Sequence, residues 1–176
     1  MLIIKQVLLG SLFTLLLIMS QSAIAIEKEY ALKAGFLFNF SRYGEWQNLP
    51  DNATSFTLCS PDASFINVSR SVLSGRKVNN LPIKNVEIAV TTTDLAQCNI
   101  LFITADTVEP WLEFNRPLLP NVMVVGETDH FIEQGGHIRF FLSGGKVRFE
   151  VSPDQLKLSG ITMSSKVLRL GRVVNN

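Results

Sequence analysis

The 176-residue chain is 47% hydrophobic and 18% charged, a length and composition for one compact domain. Sixteen Lys and Arg against fifteen Asp and Glu leave a net charge of +1, which argues against a nucleic acid or other polyanion as partner. Eleven glycines and seven prolines exclude collagen-like or disordered sequence, and two cysteines are too few for a disulfide-built scaffold.

Residues 1–25 read as an export signal. Lys5 precedes the apolar run Val7 to Met19, and Ala23-Ile24-Ala25 places small residues at both positions of an A-x-A cleavage site. The alternative is an uncleaved anchor, but about thirteen apolar residues fall short of the roughly twenty that span a bilayer. Cleavage after Ala25 leaves residues 26–176, or 176 − 25 = 151 residues, as one soluble, exported α/β domain with no membrane span. With no lipobox cysteine, the chain does not read as a lipoprotein.

Glu27 to Tyr43 predicts a helix whose middle, Ala34 to Phe40, is apolar nearly all round. Such a helix is buried on several sides or keeps one face for a partner. Phe56 to Cys59 predicts a strand, and Ser60-Pro61-Asp62 opens a helix running to about Leu73 and stopping at Gly75. Val86 to Val90 reads as a second strand. Asn99 to Thr104 is a continuous apolar run, as in a strand covered on both faces. A helix over Val108 to Phe114, a buried strand over Val122 to Val125 and a short helix from Thr128 to Gly135-Gly136 follow. Helical segments alternating with apolar strands predict a mixed, mostly parallel sheet flanked by helices.

Gly144-Gly145 marks a two-residue turn between His137–Leu142 and Lys146–Val151. The implied register pairs Leu142 with Val147, Phe140 with Phe149 and Ile138 with Val151 on an apolar face. Arg139 with Glu150 and Phe141 with Arg148 form the other face. A one-residue slip would bury the charges, so the pattern fixes the register of this C-terminal antiparallel hairpin. Phe141 then stands among charges, either under a neighbouring loop or on a binding surface. Ser152-Pro153-Asp154 starts a helix closed at Gly160, and Ser164 to Val174 reads as a last helix with Lys166, Arg169 and Arg172 on one stripe.

Cys59 and Cys98 are expected to form a disulfide, because an exported chain with two cysteines favours one. Cys59 ends one strand and Cys98 starts another, so the bridge requires staggered strands or a Cys98 set in the preceding turn. Two buried free thiols are the alternative. No catalytic constellation is visible: the chain lacks G-x-S-x-G, H-E-x-x-H, C-x-x-C, Walker and G-x-G-x-x-G motifs. Ser143-Gly144-Gly145-Lys146 spells S-x-x-K only at a hairpin tip. His130 and His137, on different elements, read as surface side chains rather than a metal pair. No metal, cofactor or catalytic residue is expected.

Five motifs in order resemble the YfiR/HmsC family. They are Lys33-Ala34-Gly35-Phe36-Leu37-Phe38-Asn39-Phe40 with Glu45-Trp46; Leu73-Ser74-Gly75-Arg76-Lys77-Val78-Asn79 with Pro82-Ile83; Cys98-Asn99-Ile100-Leu101-Phe102-Ile103; Gly135-Gly136 to Phe140 with Gly145-Lys146-Val147-Arg148-Phe149-Glu150; and Ser164-Ser165-Lys166-Val167-Leu168-Arg169-Leu170. Gly35, Gln47 and Val167 depart from the family's usual Ala, Pro and Leu. The resemblance implies a periplasmic regulator, not an enzyme, that binds the periplasmic sensor domain of an inner-membrane diguanylate cyclase and represses it. Cyclic di-GMP and biofilm formation then fall. It also implies homodimerisation and sequestration by an outer-membrane lipoprotein. The outward hairpin face (Arg139, Phe141, Arg148, Glu150) and the last helix (Lys166, Arg169, Arg172) are the candidate contact. A small-ligand binding protein, using a crevice at the strand ends, is the alternative from a second class. An exported enzyme with an unrecognised site is the third.

Overall fold

A computed structural model of the protein describes residues 25–50, 52–90, 95, 97–114 and 119–175. The export signal lies almost wholly outside them. Residues 25–43 form the first helix, α1. The chain continues through β1 (Gly44–Trp46), β2 (Phe56–Ser60), α2 (Ala63–Val72), β3 (Lys77–Val78), β4 (Leu81–Glu87) and β5 (Ile100–Ile103). A 3₁₀ turn at Ala105–Thr107 leads into α3 (Val108–Glu113) and β6 (Met123–Gly126). Then come β7 (Ile138–Ser143), β8 (Lys146–Val151), α4 (Pro153–Leu158), β9 (Ile161–Met163), α5 (Ser165–Leu168) and β10 (Arg172–Val173). No helix of the described residues is long and apolar enough to cross a membrane.

The main sheet runs β10-β8-β7-β6-β5-β2-β4-β3, with β4, β2, β5, β6 and β7 mutually parallel. This is the mostly parallel α/β sheet that the apolar runs predict. Period-two alternation divides its side chains between two cores. Ile100, Phe102, Met123 and Val125 face α1, α2, α4 and α5. Leu101, Ile103 and Val124 face Trp111 of α3, Phe131 and both cysteines. On the first face Phe40 meets Phe149 edge-on at 4.9 Å and stacks on Phe140 at 5.9 Å. A second ribbon, β1 against β9, joins the end of α1 to the C-terminal segment.

The hairpin register is the expected one at every pair from Ile138↔Val151 to Leu142↔Val147. Both turn glycines have positive φ, 57° and 69°, as a type I′ turn demands. Three expectations fail. Thr128 is a bend and residues 129–135 are consecutive turns rather than a helix, and His130 within them has φ 61°. The strand expected at Val86 to Val90 runs instead from Leu81 to Glu87. It starts early because Asn79 and Asn80, at φ 49° and 67°, make a two-residue turn that pairs β3 with β4. The last helix stops at Leu168. Gly171 lies against the Phe149 ring, where a Cβ would come within 2.3 Å, and the chain then becomes β10 alongside β8.

Cys59 and Cys98 are bridged, with Cα atoms 5.9 Å apart. Leu58 pairs with Ile100, so Cys98 lies in the turn before β5 rather than in the strand. Asn99 holds that turn: its Oδ1 accepts from the Thr57 N–H at 2.7 Å, and its own N–H donates to the Thr57 carbonyl at 2.9 Å. His137 is buried, not a surface residue, at 3% exposure. Its Nδ1 accepts from the Val124 N–H at 2.8 Å, which leaves Nε2 to donate to Ser159 Oγ at 3.0 Å. The ring is therefore neutral, and burial pulls its pKa down to about 4.

Two outcomes are expected. Denatured, unreduced protein should yield no alkylatable thiol, and replacing both cysteines with alanine should cost about 4 kcal/mol, as closure of a loop of this length implies, read as a lowered denaturation midpoint. For His137 the folded pKa lies below the ordinary 6.5, so the unfolded state binds the extra proton between the two values. Its contribution is full above about pH 6.5 and lost as pH falls toward 4, about 3 kcal/mol in all. Denaturant titrations across that window should show the slope in wild type and its loss in His137→Gln.

Candidate functional site

The outward face of the hairpin carries a connected set of charges around one carboxylate. Glu150 of β8 is 7% exposed. Its Oε1 accepts from Arg139 Nε of β7 at 2.6 Å, and its Oε2 accepts from Arg172 Nε of β10 at 2.9 Å. Arg172 also donates to Oε2 through its terminal NH2 nitrogen, and Arg139 donates a further bond to Asp129. The arrangement follows from the register: Arg139 lies opposite Glu150, and Arg172 beside it in the parallel pair. Burial pushes the Glu150 carboxyl up, but hydrogen bonds from Arg172 and Arg139 outweigh it and hold its pKa below the ordinary value. Burial likewise pulls Arg139 down, and Glu150 and Asp129 more than reverse this.

Phe141 is half-buried between these cations. The Arg139 and Arg172 guanidinium carbons stand 5.4 Å and 5.2 Å from its ring centroid. Arg148 lies opposite Phe141 in register as expected, yet the cations over the ring are Arg139 and Arg172. Arg148 is exposed. Of the expected contact residues, then, Arg139, Phe141, Glu150 and Arg172 come together, with Arg148 on the same face.

Lys166 and Arg169 do not join them. The expected single stripe fails because Arg172 belongs to a strand and Lys166 to α5, which covers the opposite face of the sheet. Lys166 instead borders an apolar groove of about 260 Å³ with Phe36, Tyr43, Phe149 and Leu170. Arg169 is exposed at the end of α5. His130 is exposed and His137 is committed to the core, so the two form no metal pair. Among the described residues, no group of three or more His, Cys, Asp or Glu side chains is placed to hold a metal ion.

A second polar cluster lies at the carboxyl ends of the parallel strands. Lys33 of α1 is buried and donates to Glu29 at 2.5 Å and to Glu127, the residue after β6. The other oxygen of Glu127 accepts from the Ala105 N–H at 2.6 Å. One turn earlier on α1, the Tyr30 hydroxyl donates to Asp62 at 2.8 Å, and Asp62 caps α2 through the Phe65 N–H. Burial and the Asp62 hydrogen bond raise the Tyr30 pKa above its ordinary value. The sequence reading did not single out this cluster. Its signal was the lysine that opens the apolar middle of the first helix.

No curated protein matches the sequence. A solved structure of a conserved domain protein from Vibrio cholerae O1 biovar eltor is similar at 12% identity and a TM-score of 0.47, over 71% of this chain and 55% of that one. The chain thus spans about half the length of that protein. The model of the YfiR/HmsC-like family matches residues 30–172, through every element from α1 to the start of β10. The chain belongs to the YfiR/HmsC-like family.

Proposed function

We propose that the protein is a periplasmic repressor that binds the periplasmic sensor domain of an inner-membrane diguanylate cyclase and holds it inactive, lowering cyclic di-GMP and biofilm formation. The observation that carries the reading is the hairpin face: an aromatic ring clasped by two arginines, with a third arginine exposed beside it. Aromatic and arginine side chains are enriched at the energetic centres of protein interfaces. Repression then needs no chemistry. A protein that binds the inactive state of a receptor more tightly shifts the receptor toward that state by its differential affinity.

Export with cleavage after Ala25 and the domain of residues 26–176 belong to the same reading, and the buried disulfide supports an oxidising compartment. Arg139, Phe141, Arg148, Glu150 and Arg172 form the proposed contact. Lys166 and Arg169, on the other side of the sheet, are assigned instead to the rim of a homodimer interface. That interface centres on the apolar groove between α1 and α5, where Leu170 is 72% exposed. An outer-membrane lipoprotein that sequesters the repressor completes the proposed system.

Two measurements test the reading. Phe141→Ala and Arg148→Ala should each relieve repression of an inner-membrane diguanylate cyclase whose activity the wild-type protein lowers on co-expression, with melting temperatures within a few degrees of wild type. Normal repression by both variants, or loss only through unfolding, removes the hairpin face as the contact. Light scattering of the mature protein at micromolar concentration should give a dimer, and Leu170→Glu should shift it to monomer.

A further inference from the structure

The hairpin has one open flank. β6 accompanies β7 only at Ile138 and Arg139, whereas β8 follows β7 as far as Ser143. Phe140–Ser143 therefore has a strand on one side only, and a strand so placed offers unpaired backbone groups to an incoming chain. A groove of about 350 Å³ runs along that side. Its walls are α1, the residues after β5 and β6, and the hairpin side chains Leu142 and Val147. Leu142 is 64% exposed there.

The charges in the groove do not balance. Glu29, Glu127 and Asp129 line it against the two cations Lys33 and Arg139. Lys33 is taken by Glu29 and Glu127, and Arg139 is shared between Asp129 and Glu150. The surplus is acidic. Its most accessible member is Asp129, whose side chain is largely exposed.

We propose that this groove takes an extended, basic segment of the partner polypeptide, added as a strand along Phe140–Ser143. The segment's backbone pairs with the open edge, its apolar side chains meet Leu142 and Val147, and a lysine or arginine reaches Asp129 and Glu29. The groove is continuous with the proposed hairpin contact, because Arg139 and Phe141 border both. The inference rests on the reading of the protein as a partner-binding repressor and names which part of the partner enters.

The probes are the purified periplasmic domain of an inner-membrane diguanylate cyclase and short overlapping peptides covering it, titrated against the mature protein by fluorescence anisotropy. One peptide containing Lys or Arg is expected to bind. Asp129→Lys should weaken both that peptide and the whole domain by at least about tenfold, and reversing the peptide's basic residue to Glu should restore binding to this variant. Leu142→Lys, which touches no ion pair, should weaken both probes with an unchanged melting temperature, and it carries the test alone if Asp129→Lys disturbs the fold. The groove inference is overturned if the domain binds wild type and both variants equally, an outcome that leaves the repressor reading standing. It is also overturned if acidic peptides bind as well as basic ones. If the domain does not bind wild type at all, both readings fall.

Discussion

One carboxylate organises the surface on which the functional reading depends. Glu150 is almost fully buried, and a buried carboxylate is tolerable only when its oxygens are satisfied by charge-assisted donors. Arg139 and Arg172 satisfy one oxygen each, from strands on either side of β8. The pair fixes more than charge. It holds both guanidiniums over Phe141. Removing Arg139 leaves the buried Oε1 of Glu150 without its donor, which typically costs about 1–3 kcal/mol. The ring and the cations are therefore placed by the fold before any partner arrives.

The polar cluster across the adjoining groove obeys the same logic with the signs exchanged. Lys33 is the buried charge, and Glu29 and Glu127 answer it. Because Glu127 also accepts from the Ala105 N–H, α1 is tied at once to the ends of β5 and β6. Tyr30 ties it to the start of α2 through Asp62. Helix α1 is thus located by polar bonds at one end and by the packing of Phe36 and Phe40 on Phe140 and Phe149 further along.

What the sequence revealed divides along the range of the interactions involved. The hairpin was legible in full because its register depends on a two-residue turn and on alternation within fourteen residues, 138–151. The buried strands were legible as apolar runs. The C-terminal segment was misread because Ser164 to Val174 carries a helical pattern, while its ending is dictated by a Phe149 ring that closes on Gly171 from another strand. Nothing local announces that contact. The Asn79-Asn80 turn was legible in principle, since asparagine tolerates positive φ, yet the two-residue β3 left too short a pattern to notice. His137 and Lys33 show the same limit for sites. His137 reads as a surface residue in the sequence, and both it and Lys33 are buried against groups more than ten residues away.

These constraints bear on how such a surface binds. Association costs free energy partly through the freezing of long side chains, and arginines carry more of that cost than most. Here Arg139 and Arg172 are already held by Glu150 in the unbound protein, so little of their rotamer freedom remains to be lost. Arg148, exposed beside them, differs: its ordering is charged to the complex. A surface built from fixed cations around a fixed ring favours a rigid, shape-complementary contact there. The acidic groove alongside favours a flexible strand. The two halves suit one partner that presents a folded face together with an extended arm, a composition that links affinity to the partner's conformation and so allows binding alone to act as a switch.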